Sequence, residues 1–267
     1  MPELPEVETI RVALDPLLTG HRIERAEIYD YRLTLPEPPE AVAQQLEGER
    51  ILEVGRRGKY LLLRFESGRV LLVHLRMTGS LRAGRLEDDP HRRALLTLDD
   101  GSFVAYRDLR RFGTWLLLDA DDVEPYLRVR LGADPFDRRF DLRRLAGRRA
   151  PVKAAILDQR AVAGLGNIYA DEALWRARIH PLRPAGTLDD DELKRLKRGV
   201  RQALRVGVAR QGATLRDYAA PNGEAGSMQR EFKVYGRTGE PCDRCRTPIE
   251  KTRVAGRGTW YCPTCQR

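Results

Sequence analysis

No cysteine occurs before position 242 of this 267-residue chain, which excludes a disulfide framework for nearly all of it. No apolar run approaches the roughly 20 residues that a membrane-spanning helix needs, so no membrane partner is expected. The opening Met1-Pro2-Glu3-Leu4-Pro5-Glu6 has neither a basic stretch nor an apolar one and lacks the form of a secretory signal. Internal repeats and low-complexity tracts are absent too. What remains is ordinary globular composition, 42% hydrophobic and 33% charged, with 48 Lys+Arg against 39 Asp+Glu and a net charge of +9. That excess is either a solvated basic face or the footprint of a polyanion, and its bias toward arginine suits phosphate and base contacts. A reducing interior, hence a cytoplasmic protein, fits this cysteine usage.

The cysteines that are present form two pairs, Cys242-Asp-Arg-Cys245 and Cys262-Pro-Thr-Cys265, separated by sixteen residues. Two C-x-x-C knuckles at that distance are the spacing of a zinc ribbon, in which four thiolates converge on one Zn²⁺; two vicinal redox pairs or a disulfide are the weaker alternative, since nothing else points to an oxidising compartment. A tail this short has little core of its own, and a metal would supply the folding energy. Four cysteine ligands leave no open coordination position, so the zinc is structural and the chemistry lies elsewhere. The ribbon also tips the basic charge toward nucleic acid.

Patterning changes along the chain. Val7, Ile10, Leu14, Leu17 and Leu18 form one stripe of an amphipathic helix, with Pro5 in its first turn and its end near Pro16 and Gly20. Short apolar or alternating runs then follow at 22–31, 50–54, 60–65, 70–75, 94–98, 103–106 and 114–118, with a short helix at 41–46. Strands at that spacing argue for a β-sandwich or barrel. Asp119–Glu124 reads as an acidic bend, after which 152–157, 168–175 and 189–211 have helical periodicity. In Gly164-Leu165-Gly166-Asn167, Asn167 reads as the N-cap of the next helix. Residues 216–230 lack periodicity and read as a mobile loop leading to the ribbon.

Several segments could carry chemistry. Removal of Met1 would leave Pro2 as a secondary amine titrating near ~8, able to attack a sugar carbon and form an iminium ion. Glu3 and Glu6 beside it could be proton carriers or helix-capping groups, and their spacing alone favours capping. Arg56-Arg57-Gly58-Lys59 could be a solvated hairpin or a phosphate clamp. His74-Leu75-Arg76-Met77-Thr78-Gly79 and Asp108-Leu109-Arg110-Arg111-Phe112-Gly113 each set a large apolar residue beside arginine at a strand end. Such residues are core, or they are wedges that enter a base stack.

Taken in order, Pro2 through Thr9, Lys59, His74 through Gly79, Arg110 through Gly113, Gly164 through Tyr169, Tyr235-Gly236-Arg237 and the four cysteines resemble bacterial formamidopyrimidine-DNA glycosylases. Endonuclease VIII shares that fold and prefers oxidised pyrimidines, but usually has glycine where this chain has Leu4. The resemblance implies an α+β multidomain protein: a helix and an N-terminal β-sandwich over 1–120, a linker over 121–134, a helical domain with a helix–two-turn–helix over 135–226, and a zinc ribbon over 227–267. It implies a monomeric bifunctional glycosylase and lyase acting on double-stranded DNA that contains oxidised bases. Pro2 would be the nucleophile, Glu3 the acid–base group, Lys59 a catalytic phosphate holder and Glu6 a supporting carboxylate. His74, Asn167, Tyr235 and Arg257 would contact DNA. Met77, Arg110 and Phe112 would fill the gap left by an extruded base, with Arg110 facing the orphan cytosine. One departure is visible: relatives often carry an aromatic pair where this chain has Ser227-Met228, so Tyr218 or Met228 becomes the candidate to cover the extruded base. A non-catalytic ribbon protein binding bent or damaged DNA is the alternative from another class.

Overall fold

Two glutamates start the first helix. Glu3 is the N-cap of α1 (Leu4–Leu18), and the Glu6 carboxylate accepts the Glu3 backbone N–H at 2.8 Å. The helix then buries Val7, Ile10, Leu14 and Leu18 along one stripe. These features belong to a computed structural model that describes residues 1–214, 221, 223 and 225–267. The chain forms two compact units, Met1–Leu127 with Gln211–Gly226, and Arg128–Arg210 with Ser227–Arg267.

The first unit is a sandwich of two antiparallel four-stranded sheets. One has the order β1-β6-β7-β5, built from Ile23–Ile28, Arg92–Leu98, Phe103–Asp108 and Gly79–Ala83; the other is β2-β3-β4-β8, from Ile51–Arg57, Tyr60–Phe65, Val70–His74 and Thr114–Leu118. Inward residues of both sheets and the stripe of α1 share one apolar core, which includes Ile10, Leu14, Leu61, Leu71, Leu96, Tyr106 and Trp115. Each fully buried aliphatic side chain stabilises the fold by about 1.5–3 kcal/mol, which makes this core the main support of the unit. Helix α2 (Pro39–Leu46) lies against β1.

Alternation in the sequence does not mark β5, because it opens on glycine and carries Ser80 and Arg82 within five residues. The expected acidic bend at 119–124 is instead the start of helix α3 (Ala120–Arg128). Asp121 and Asp122 sit in its first turn, where negative charge complements the helix dipole, and Val123 and Leu127 are buried one turn apart.

In the second unit, α4 (Val152–Leu157), α5 (Asn167–Ala177) and α6 (Asp190–Ala209) precede the hairpin of β9 (Glu250–Val254) and β10 (Arg257–Tyr261). Asp189 and Glu192 form a capping box at the start of α6, with bonds of 2.7 and 3.0 Å. Leu196, Val200, Ala203 and Leu204 of α6 are buried as core. Gly199 permits close helix packing, since a Cβ there would lie 2.6 Å from the Ala173 carbonyl oxygen of α5. Asn167 is not the N-cap: Gly166 takes the extended cap conformation, and the Asn167 amide is the first helical residue, donating elsewhere. Among the described residues no helix is long and apolar enough to cross a membrane.

Candidate active site and metal centre

Pro2, Glu3 and Glu6 are all buried at the start of α1. Besides capping the helix, Glu6 accepts the Ala213 backbone N–H at 2.8 Å through its other oxygen. A Cβ on Gly212 would come within 2.7 Å of the Glu6 side chain, so glycine is needed for that approach. Thr214 then accepts the Gly226 N–H at 2.9 Å. One carboxylate thus ties the segment before residue 215 to the helix that carries Pro2 and Glu3. Tyr218 lies outside the described residues. Met228 is fully buried in the second unit, in the short 3₁₀ turn Met228–Glu231, so the geometry does not offer it as a cover for an extruded base.

Lys59 sits in the two-residue turn of the β2–β3 hairpin, where Gly58 supplies the positive φ of +58°. Arg56 aims this turn: its Nε donates to Glu8 Oε2 on α1 at 2.8 Å and its Nη1 to the Gly58 carbonyl at 2.9 Å. Sequence patterning does not reveal this positioning pair. The signal is present in the two charges, but their pairing spans 48 positions. His74 ends β4 opposite Tyr60 and packs edge-on against its ring at 4.6 Å. Burial, reinforced by the charges of Arg76 and Lys59, lowers the His74 imidazolium to about 3. Nδ1 accepts the Arg76 N–H at 3.0 Å, so the neutral ring carries its proton on Nε2.

Met77 and Phe112 are 40% and 50% exposed, so they are not core residues. They stand on two connections, 75–78 and 109–113, that cross in opposite directions from one sheet to the other. Arg110 lies over the Phe112 ring, its guanidinium carbon 4.8 Å from the centroid. Buried Asp108 accepts the Phe112 and Gly113 N–H groups at 2.9 and 2.7 Å through one oxygen. Its other oxygen takes the Thr78 hydroxyl and the Arg110 N–H. Arg111 makes a two-pronged pair with Asp30 at 2.6 and 2.7 Å, which holds the Asp30 carboxyl below the usual carboxylate range.

In the second unit, the Asn167 amide donates to the Gly258 carbonyl at 3.0 Å, next to Arg257 at the hairpin tip. The tip turns through Ala255 and Gly256, both at positive φ, and Arg257 is exposed. A buried brace lies behind it. Lys153 of α4 pairs with Asp171 of α5 at 2.8 Å and donates to the Gly258 carbonyl and the Thr259 hydroxyl at 2.9 and 2.8 Å. The second Asp171 oxygen accepts the Trp260 N–H at 3.1 Å. Burial raises Asp171 to about 7 despite its lysine partner. A lone lysine within the apolar run 152–157 was the only sequence sign of this brace. Glu172, also fully buried, accepts the N–H groups of Lys233, Val234 and Tyr235 at 2.8, 3.0 and 3.2 Å. Tyr235 packs against Trp260 with the ring centroids 4.5 Å apart and the planes tilted by 54°.

The four cysteines converge. The Sγ atoms of Cys242, Cys245, Cys262 and Cys265 lie within 4.8 Å of one another, and none is in a disulfide. Tetrahedral Zn–S bonds of about 2.3 Å call for sulfurs just under ~4 Å apart, so this donor set fits one zinc ion. Trp175 donates its indole N–H to Cys242 Sγ at 3.4 Å and shares a small apolar cluster with Val234, Ile249, Cys242 and Cys262.

Comparison with known proteins gives a consistent picture. Residues 1–115 match the family model "Formamidopyrimidine-DNA glycosylase N-terminal domain", residues 131–219 the H2TH domain of the same glycosylases, and residues 239–267 the "Zinc finger found in FPG and IleRS". Formamidopyrimidine-DNA glycosylases of Roseiflexus sp. (strain RS-1) and Heliobacterium modesticaldum are 46% and 45% identical, each aligned over the whole of both chains. A Lactococcus lactis FPG mutant in complex with Fapy-dG-containing DNA superposes with a TM-score of 0.92 at 38% identity, over all of both chains. A MutM complex with DNA containing carbocyclic 8-oxo-G gives 0.91 at 38% identity, again over all of both chains.

Proposed function

The chain belongs to the formamidopyrimidine-DNA glycosylase family, and from that premise we propose how its residues perform the family's reaction. It is a base-excision repair enzyme, a glycosylase and abasic-site lyase that removes 8-oxoguanine and formamidopyrimidines from duplex DNA. The observation that carries the assignment of roles is the buried start of α1, where Pro2 precedes two carboxylates held in place by a capping box.

With Met1 removed, the Pro2 nitrogen attacks C1′ of the damaged nucleoside. The glycosidic electron pair leaves with the base, which takes up a proton, and opening of the sugar ring leaves an iminium ion linking Pro2 to C1′. Glu3 shuttles the protons: it protonates the ring oxygen and later removes the C2′ proton, after which the C3′–O bond breaks. Loss of a C4′ proton and cleavage of C5′–O complete the β,δ-elimination, and water hydrolyses the iminium to restore Pro2. Glu6 supports this centre as a fixed brace. Lys59 holds a phosphate beside the lesion, and His74 offers its Nε2–H as a neutral donor. Asn167, Tyr235 and Arg257 grip the kinked strand, while Met77, Arg110 and Phe112 occupy the gap left by the base. Zinc on the four cysteines supplies the fold of the ribbon and takes no part in bond breaking.

On this reading residues 1–120 carry the chemistry, 135–226 and 227–267 the grip, apart from 211–226, which pack in the first unit, and 121–134 the link, in a monomer that works in the cytoplasm on nucleoid DNA. Borohydride trapping on an 8-oxoguanine:cytosine duplex tests it, with undamaged and thymine-glycol duplexes alongside. A covalent adduct on the 8-oxoguanine duplex, mapped to Pro2, is expected. An adduct with thymine glycol alone would assign the chain to oxidised pyrimidines. Adduct formation at the wild-type rate by a chain that retains Met1, in which the Pro2 nitrogen is an amide, would remove Pro2 as the nucleophile.

A further inference from the structure

We propose that Met77, Arg110 and Phe112 enter DNA as one preassembled wedge, and that Thr78 is the positioning residue that joins its two halves. The proposal rests on the wedge role given to these three residues above. Strand register brings the halves together. Gly79 pairs with Asp108 at one end of the two connections, and His74 pairs with Thr114 at the other, so residues 75–78 and 109–113 run side by side.

The two connections are built alike. Each has an arginine in the left-handed region directly before its exposed apolar residue, Arg76 at φ 52° before Met77 and Arg111 at φ 58° before Phe112. That conformation costs a non-glycine residue about 1–2 kcal/mol and persists where the surroundings fix it. Here they do, through His74 Nδ1 on the Arg76 N–H and Asp30 on the Arg111 guanidinium. Each connection closes on a glycine seated against the buried Tyr106 hydroxyl. A Cβ at either Gly79 or Gly113 would collide with that oxygen.

A shared floor alone would let the halves move separately. The link between them is the Thr78 hydroxyl, which donates to Asp108 Oδ1 and accepts the Arg110 N–H at 3.0 Å. Thr78 adjoins Met77, and Asp108 also holds the backbone of Phe112. One hydroxyl therefore couples the residue that fills the gap on one connection to those that fill it on the other. Insertion of all three becomes a single event, and contact of Arg110 with the orphan base carries the full energy of the wedge.

Thr78→Val keeps the shape and removes the hydroxyl, whereas Thr78→Ser keeps the hydroxyl. Stopped-flow fluorescence of 2-aminopurine beside the lesion reports insertion, and excision opposite cytosine against adenine reports orphan-base reading. Met77→Ala and Phe112→Ala are measured singly and together, both in the otherwise wild-type chain and combined with T78V. With Thr78 present their effects are expected to be non-additive. Combined with T78V they become additive, and cytosine-over-adenine discrimination falls about threefold to tenfold, the rate equivalent of one lost buried hydrogen bond. T78S behaves as wild type. Retained coupling and discrimination in T78V overturn the proposal. Wild-type insertion and discrimination by M77A and F112A themselves would overturn the wedge reading, and the proposal with it. Thr78→Ala carries the same readouts if T78V does not fold.

Discussion

The two units solve one mechanical problem by different physics. On the proposed reading both must hold DNA-contacting side chains at fixed positions. The sandwich does so over a continuous apolar core that runs from α1 through both sheets, with buried polar groups at strand ends, such as Asp108 and His74, and on a connection, as Asp30. The second unit holds Asn167, Arg257 and Tyr235 by buried charge and by sulfur: Lys153–Asp171, Glu172 and the four cysteines, around an apolar cluster centred on Trp175. Apolar packing is non-directional and tolerant, while buried ions and metal ligands are all-or-none. The units should therefore fail under different insults.

The largest difference should come from removing zinc. Structural zinc contributes on the order of 10–16 kcal/mol to small ribbons. A strong chelator, or Cys262→Ser, is expected to unfold residues 239–267 and abolish specific binding to an abasic-site duplex. The sandwich amides should keep their protection from hydrogen exchange. Loss of protection in both units at the same chelator concentration would break the distinction.

Single side chains give the next contrast. Lys153→Met leaves Asp171 buried without its partner and is expected to cost about 3–5 kcal/mol, while replacing both residues by apolar ones of like size restores most of it. Leu71→Ala in the sandwich opens a cavity and costs about 2–5 kcal/mol, with no partner substitution to relieve it. Denaturant melts of the three variants decide the matter. Failure of the Lys153–Asp171 double replacement to recover stability would show that packing, not charge, dominates in the second unit.

These differences explain what could be read from the sequence. The stripe of α1, most strands and the zinc ligands were legible because their signals are local: a period of 3.6, a period of 2, and the C-x-x-C spacing. Strand β5 was hidden by its glycine and polar residues, and α3 by an acidic start that looks like a turn. The candidate nucleophile, carboxylates and wedge residues could be named from their motifs. The parts that hold them could not. Glu6 meets Ala213 across 207 positions, Arg111 meets Asp30 across 81, and Lys153 meets Thr259 across 106. A charged residue in an apolar run tells that a partner exists, but only the fold tells which.

The finest test uses protons, because His74 in the first unit and Asp171 in the second are shifted in opposite senses. His74 in the sandwich is lowered to about 3 from an ordinary 6.5, chiefly by burial. Between those values the unfolded chain binds the extra proton, so its contribution is full above pH 6.5 and is lost as pH falls toward 3. Asp171 is raised from 3.8 to about 7, again chiefly by burial. Here the folded state binds the extra proton, so the contribution is present below pH 3.8 and is lost as pH rises through 7. From pH 4 to 6.5, acidification should therefore loosen the surroundings of His74 and tighten those of Asp171, read as opposite slopes of hydrogen-exchange protection in β4 and α5, with burial-lowered His180 opposing Asp171 elsewhere in the second unit. His74→Asn should flatten only the first slope and Asp171→Asn only the second. Parallel slopes in the wild type would mean that His74 or Asp171 does not govern its surroundings, and the variant that leaves its slope unchanged would identify which.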